Sequence, residues 1–168
     1  TIGAGGEGSF ERELILPRRE DEADSAAVFA RGRPDPNDVI QLLYTSGTTG
    51  EPKGVMHTSN SLIATVTAFS EHFEVGSDAV IMMASPIAHQ TGFLYGLMQP
   101  VLLGAKLVVQ DIWNPETAAR LIQDEGVTMT MGATPFVADL TDSPASARYD
   151  VSTLRTFVSA GAPIPRVL

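Results

Sequence analysis

The sequence predicts an α/β fold, a doubly wound and mostly parallel sheet with helices between its strands. Three observations predict it. Short apolar runs at 39–43, 79–83, 106–109, 127–131 and 154–158 alternate with segments whose apolar residues recur at helical spacing. Two of those segments open on a polar residue followed by proline, Asn114-Pro115 and Thr134-Pro135, the pattern of a capped helix start. The connections are long enough to be crossovers, which parallel strands require.

Composition fits such a domain. The chain has 168 residues, 43% apolar and 18% charged, enough for one packed core. Its net charge of −9 argues against nucleic acid or an anionic membrane as partner, since both select a basic face. It has no cysteine, hence neither disulfides nor thiolate chemistry. Its histidines, His57, His72 and His89, are scattered, which disfavours a structural zinc site. The longest apolar stretch, 93–104, is interrupted by Gln99 and Pro100 and is too short to span a bilayer. No basic segment followed by an apolar run opens the chain, so no signal peptide is expected and the expected location is cytoplasmic. The chain begins at Thr1 and ends at Leu168 inside an ordered pattern, and both ends read as cut.

In order, residues 1–38 form a loop-rich segment and 39–168 the α/β unit. Residues 1–9 are rich in glycine. A short strand is expected at 12–16, stopped by Pro17, then a solvated charge run at 18–24 and a turn-rich connector at 31–38. The run 39–43 is expected to be a buried strand. Leu62, Val66, Phe69 and Phe73 define a helix over about 58–73. A strand at 79–83 leads to a helix at 90–103 that Pro100 kinks or splits and Gly104 ends. After the strand at 106–109, Asn114 caps a helix that ends at Gly126 and buries Ala118, Leu121 and Ile122. The strand at 127–131 leads to a helix capped by Thr134, with Phe136, Val137 and Leu140 inward. A polar loop at 141–150 precedes the last strand, and Ser159-Ala160-Gly161-Ala162-Pro163 is the turn after it.

Between the first strand and the first long helix stands Tyr44-Thr45-Ser46-Gly47-Thr48-Thr49-Gly50-Glu51-Pro52-Lys53-Gly54-Val55. Glycines let a backbone approach a ligand closely. Hydroxyls and loop amides donate to phosphate oxygens, and Lys53 adds a point charge. The helix after the loop is expected to aim its N-terminus back at it. Pro52 before Lys53 and Gly54 after it exclude the Walker pattern, and no Gly-x-Gly-x-x-Gly turn is present. In an open parallel sheet ligands bind at the C-terminal ends of strands. The loops 45–53, 86–92 and 159–163 are all expected at that edge, as parts of one pocket.

The loop resembles the phosphate-binding motif of the adenylate-forming, AMP-binding superfamily: acyl-CoA synthetases, adenylation domains of peptide synthetases, and luciferases. By this resemblance Thr45, Ser46, Gly47, Thr48, Thr49, Gly50 and Lys53 would hold the nucleotide phosphates. Ser85-Pro86-Ile87-Ala88-His89-Gln90-Thr91-Gly92-Phe93 resembles the His-x-x-Gly element of acyl- and aryl-CoA ligases, and implies that His89, Gly92 and Phe93 contact the acyl substrate. His89 could equally be a hydrogen-bonded histidine at a helix start, and Phe93 simple helix core. Ser159 to Pro163 resembles the family's adenine turn, implying nucleotide contacts at Gly161, Ala162 and Pro163, with Ala160 where a glycine is common.

Amino-acid-activating members carry an aspartate in the element corresponding to 87–90, to pair the substrate ammonium. Here Ile87-Ala88-His89-Gln90 offers no acid, and an unpaired buried ammonium is costly. The resemblance therefore implies an acyl-CoA ligase using ATP, Mg²⁺ and CoA on a carboxylate with an apolar tail; 93–115 looks most like the cyclohexanecarboxylate and medium-chain ligases. A peptide-synthetase or luciferase-like enzyme, or a nucleotide-binding module without ligase activity, are the alternatives. The family's Tyr-Gly-x-Thr-Glu motif and C-terminal lysine are not in this sequence. No catalytic residue is therefore assigned, and the chain by itself is expected not to turn over.

Overall fold

The computed structural model describes residues 25–45, 50–166 and 168. The chain divides between Asp38 and Val39 into two units, each described by itself. In the first, helix α1 spans Ser25–Gly32, so the connector expected from residue 31 begins later. Its closing turn is held by side chains: the Asp35 carboxylate accepts from the Asn37 amide, and the Asp38 carboxylate from the Asp35 amide, both at 2.8 Å. The strand expected at 12–16 and the charge run at 18–24 lie outside the described residues.

The second unit holds a parallel sheet, as the sequence predicts. Its strands are β3 (Val80–Met83), β4 (Lys106–Val109), β5 (Met129–Gly132) and β6 (Thr156–Ser159), in the order β4-β3-β5-β6 with every pairing parallel. The chain runs from β3 outward to β4, then crosses back over β3 to β5 and on to β6. Right-handed crossovers in opposite directions put helices on opposite faces. On one face α4 (Pro115–Glu125), α5 (Thr134–Asp142) and α6 (Ala145–Arg148) bury Ala118, Ala119, Ile122, Leu140 and Ala145 with Met82, Val108 and Val127. Toward the other face, the Met83 side chain meets the helical segment Gly92–Met98 at Gly96. There Leu94 packs with Leu62 and Val66 of α2 (Ser59–His72). Met82 and Met83 point opposite ways because successive strand residues do.

Local chemistry sets the element ends. Thr58 and Ser61 form a capping box at the start of α2, the Ser61 amide donating to Thr58 Oγ1 at 3.2 Å and the Thr58 amide to Ser61 Oγ at 3.0 Å. Asn114 Oδ1 accepts from the Thr117 amide at 2.9 Å, with Pro115 in the first turn. Gly104 and Gly126 end their helices at φ 67° and 68°, a conformation that glycine adopts without strain.

Several expectations are corrected. The run at 39–43 forms strand β1 (Val39–Tyr44), but it is not buried and does not join the parallel sheet. It pairs antiparallel with β2 (Gly54–Thr58), leaving Leu42 52% and Met56 69% exposed. The helix at 90–103 is not one helix: residues 92–98 wind as a π-helix and α3 (Gln99–Leu103) follows. The Gln99 amide still donates to Leu94 O, five residues back, and Pro100 after it carries no donor. The polar loop at 141–150 contains α6, where Arg148 pairs with Glu116 of α4 and the Tyr149 hydroxyl donates to the same carboxylate. Thr134 does not cap α5; Ala133 holds that position.

Candidate functional site

The glycine loop closes the β1–β2 hairpin. At its base the Thr45 amide donates to Lys53 O at 2.9 Å, and the Lys53 amide donates to Thr45 Oγ1 at 3.3 Å. These bonds continue the strand register, Tyr44 opposite Gly54, by one more pair. Thr45, Gly50 and Lys53 are exposed, while Ser46, Gly47, Thr48 and Thr49 lie outside the described residues. Helix α2 does not aim its N-terminus at this loop. The five residues of β2 intervene, roughly 17 Å of extended chain, and a helix end acts over about one turn. Its Ser61 amide is also already taken by Thr58.

The other two motifs do meet. The connection leaving β3 goes one way along the sheet and that leaving β5 goes the other, so the strand order reverses between them. In such a sheet a crevice opens there, outside the C-terminal strand ends. A cleft of about 220 Å³ occupies that place. Ser85, His89 and Thr91 line it from the β3 side, Met131, Gly132 and Ala133 from β5, and Ala160 and Gly161 from β6. Of these residues only His89 and Gly161 were assigned contacts from the sequence; Ser85, Thr91 and Ala160 stood in the quoted motifs without a role, and Met131, Gly132 and Ala133 had no signal beyond the strand end at this edge.

The β3 wall is built closely. The His89 amide donates to Pro86 O at 2.9 Å and the Phe93 amide to His89 O at 3.0 Å, winding the chain from proline into helix. The Thr91 amide donates to His89 Nδ1 at 3.2 Å. That bond makes Nδ1 an acceptor, so the neutral ring carries its proton on Nε2. Gly92 is buried against the turn, and a Cβ there would lie 2.2 Å from Pro86 O. Phe93 turns from the cleft and packs against Leu62, Val66 and Leu94. Tyr95, on the same helical segment, stacks on Phe69 with ring centroids 4.1 Å apart, and burial pushes its hydroxyl pKa up.

Across the cleft, Ser159 pairs with Gly132, the Ala160 amide donates to Gly132 O at 3.3 Å, and Gly161 turns the chain at φ 86°. Only part of the expected turn faces the cleft. Ala162 and Pro163 line a separate open groove with Thr134, Pro135 and Ala138. Behind Gly132 lies the ring of Phe136, which a Cβ would meet at 2.4 Å, and Trp113 packs on that ring at 4.6 Å while donating to Asp139 at 2.9 Å. Among the described residues that line the cleft none is a carboxylate. Among the described residues no three His, Asp or Glu side chains converge as metal ligands, and no helix is long and apolar enough to cross a membrane.

A crevice at a strand-order reversal is where open parallel sheets bind ligands. The chain is 39% identical over 130 residues to the medium-chain fatty-acid–CoA ligase of Escherichia coli K12, covering 77% of this chain and 23% of that protein. It is 36% identical over 137 residues to the 4-coumarate–CoA ligase of Pinus taeda, covering 79% and 26%. The structure of ATP-bound MatB from Rhodopseudomonas palustris superposes with a TM-score of 0.70 at 26% identity, over 78% of this chain and 26% of that one. The chain thus spans about a quarter of the length of these relatives. The profile of the AMP-binding enzymes matches residues 7–168, nearly the whole sequence, and the chain belongs to that family.

Proposed function

We propose that the protein carrying this chain is an AMP-forming acyl-CoA ligase that activates a carboxylate with an apolar tail. The observation that carries the reading is the cleft in which His89 and Thr91 face Ala160 and Gly161 across the reversal of strand order. The CoA ligases among its relatives support it.

In the first step a substrate carboxylate oxygen attacks the α-phosphorus of MgATP. The bond to the β-phosphate oxygen breaks, and pyrophosphate leaves with the electron pair. In the second, the CoA thiol loses its proton, its sulfur attacks the acyl carbonyl, and AMP departs. The first step builds charge on the β- and γ-phosphates. Lys53 supplies a fixed positive charge, and the hydroxyls of Thr45, Ser46, Thr48 and Thr49 and the loop amides donate toward the phosphate oxygens. Mg²⁺ bound to the triphosphate would screen its charge. Gly50 lets the loop backbone come close to the phosphates, as does Gly47. Gly161 and its neighbours Ala162 and Pro163 present backbone to the nucleotide base. His89 stands between nucleotide and acyl group, and Gly92 fixes it there by allowing the turn to pack. Phe93 contributes from behind, as support of that wall.

Ile87-Ala88-His89-Gln90 offers no acid, and the described residues that line the cleft include none, which favours an uncharged acyl tail over an amino acid, whose ammonium would be buried unpaired. A reaction that draws on ATP and CoA fits a cytoplasmic location. The test is acyl-CoA formation from ATP, CoA and a panel of medium-chain, alicyclic and aromatic acids by the whole protein. Transfer of the acyl group to a carrier protein but not to CoA would overturn the ligase assignment in favour of a peptide-synthetase-type domain, and failure to form any adenylate would leave only nucleotide binding.

A further inference from the structure

We propose that Thr134 is a positioning residue: its hydroxyl sets the turn that closes the β6 side of the cleft, and thereby the fit of ATP. The proposal rests on the nucleotide-binding reading of that turn. Thr134-Pro135 reads as a helix cap, yet the cap position of α5 is Ala133, and no side chain caps the helix. The Thr134 hydroxyl is released from that duty, and in a residue only 7% exposed it must find partners. It donates to Ala162 O at 3.2 Å and lies 3.4 Å from Ser159 Oγ. A threonine hydroxyl has one proton. Since Ala162 O takes it, Ser159 is the donor in the second contact, giving a relay Ser159 O–H to Thr134 O–H to Ala162 C=O.

This relay spans the turn. Ser159 is the last residue of β6, Ala162 lies beyond the left-handed Gly161, and Thr134 comes from the neighbouring β5–α5 junction. The Ala160 amide adds a third tie, to Gly132 O. The two residues that face His89 across the cleft, Ala160 and Gly161, are therefore clamped from both flanks by the element that also supplies Gly132 and Ala133. Removing the hydroxyl frees the Ala162 carbonyl and lets the turn relax, widening the nucleotide side of the cleft while leaving the His89 wall in place.

The experiment compares Thr134→Val, Thr134→Ser and Ser159→Ala in the whole protein, by steady-state kinetics and by amide hydrogen exchange. Thr134→Val is expected to raise KM for ATP about tenfold, the size of one lost hydrogen bond, with KM for the carboxylate changed less than twofold. Exchange is expected to accelerate at 159–163 and not in β3 or α4. Thr134→Ser restores both readouts, and Ser159→Ala, which removes only the outer donor, gives a smaller change in the same segment. Unchanged KM and exchange in Thr134→Val overturn the proposal. So does a parallel rise of both KM values with faster exchange throughout, which marks a general structural role. If Thr134→Val does not fold, unaltered exchange at 159–163 in Ser159→Ala overturns it. If the wild-type protein makes no adenylate, the ligase reading fails, and local exchange alone decides the clamp.

Discussion

Thr45 and Lys53 hold each other across the neck of the glycine loop, amide to carbonyl at 2.9 Å one way and amide to hydroxyl at 3.3 Å the other. The pair fixes where the loop leaves and re-enters the hairpin. It also places the exposed Lys53 at the loop's exit. The backbone bond survives any side-chain change, whereas the second depends on the threonine hydroxyl, and the two residues can therefore be separated by mutation.

Lys53→Met removes the charge and leaves the backbone bond. Loss of one preorganised group that stabilises developing charge costs on the order of 10²-fold in turnover. The expected result is a fall of that size in kcat for adenylate formation by the whole protein, with the unfolding midpoint unchanged. Thr45→Val is expected to lower the same rate less, since the neck stays closed by the carbonyl.

Gly92→Ala opposes two effects. Alanine is the better helix former by about 1 kcal/mol. Its methyl would lie 2.2 Å from Pro86 O, 2.5 Å from Pro86 C and 2.6 Å from Ser85 O, all backbone atoms. Forcing a methyl into packed structure costs about 1–3 kcal/mol, and backbone yields less than side chain, so the clash wins. Urea unfolding of the chain, followed by the fluorescence of its single tryptophan, Trp113, should show a loss of about 2 kcal/mol. A midpoint equal to or above that of the wild type would contradict the packing described for the His89 wall.

Asn114→Ala tests a cap that is not among the residues lining the cleft. It frees the Thr117 amide and should cost about 1 kcal/mol in the same unfolding experiment, with no change in KM for either substrate. An effect on KM as large as that of the loop variants would show that α4 reaches the site.

Tyr95 gives a pH signature. Burial raises its folded pKa above the ordinary tyrosine value of 10.0. The unfolded chain therefore releases this proton first as pH rises, so stability is whole below pH 10 and is lost upward from there toward the folded pKa. Tyr95→Phe removes that contribution. Comparing unfolding midpoints at pH 8 and pH 11, the wild type should lose more stability than the variant, and equal losses would place the hydroxyl in solvent.

The parallel sheet and its edge were legible because β3 to β6 are short apolar runs between capped helices, with Asn114-Pro115, Gly104 and Gly126 marking the ends. The meeting of His89 with Gly161 followed from topology alone. Strand β2 was not legible: Gly-Val-Met-His-Thr lacks alternation and adjoins a motif whose glycines and hydroxyls read as loop running into helix. The hairpin arises from cross-strand pairing with 39–44, a non-local cause invisible to periodicity. The π-helix was hidden because its apolar run looks the same at either winding. Thr134 misled because Thr-Pro fits a cap, and only the β6 turn beside it, brought there by folding, claims the hydroxyl. Phe93 was read with His89 and Gly92 as one element, and periodicity did not separate it from them; the helical winding packs it on the Leu62, Val66 and Leu94 cluster.

Whether the loop and the cleft act as one carboxylate-activating site is decided at the adenylation step. The direct measurement is exchange of labelled pyrophosphate into ATP by the whole protein, with and without a medium-chain, alicyclic or aromatic acid and with CoA omitted. The account predicts exchange that depends on the acid and is lost in Lys53→Met. Exchange absent with every acid, or proceeding equally without one, would contradict it.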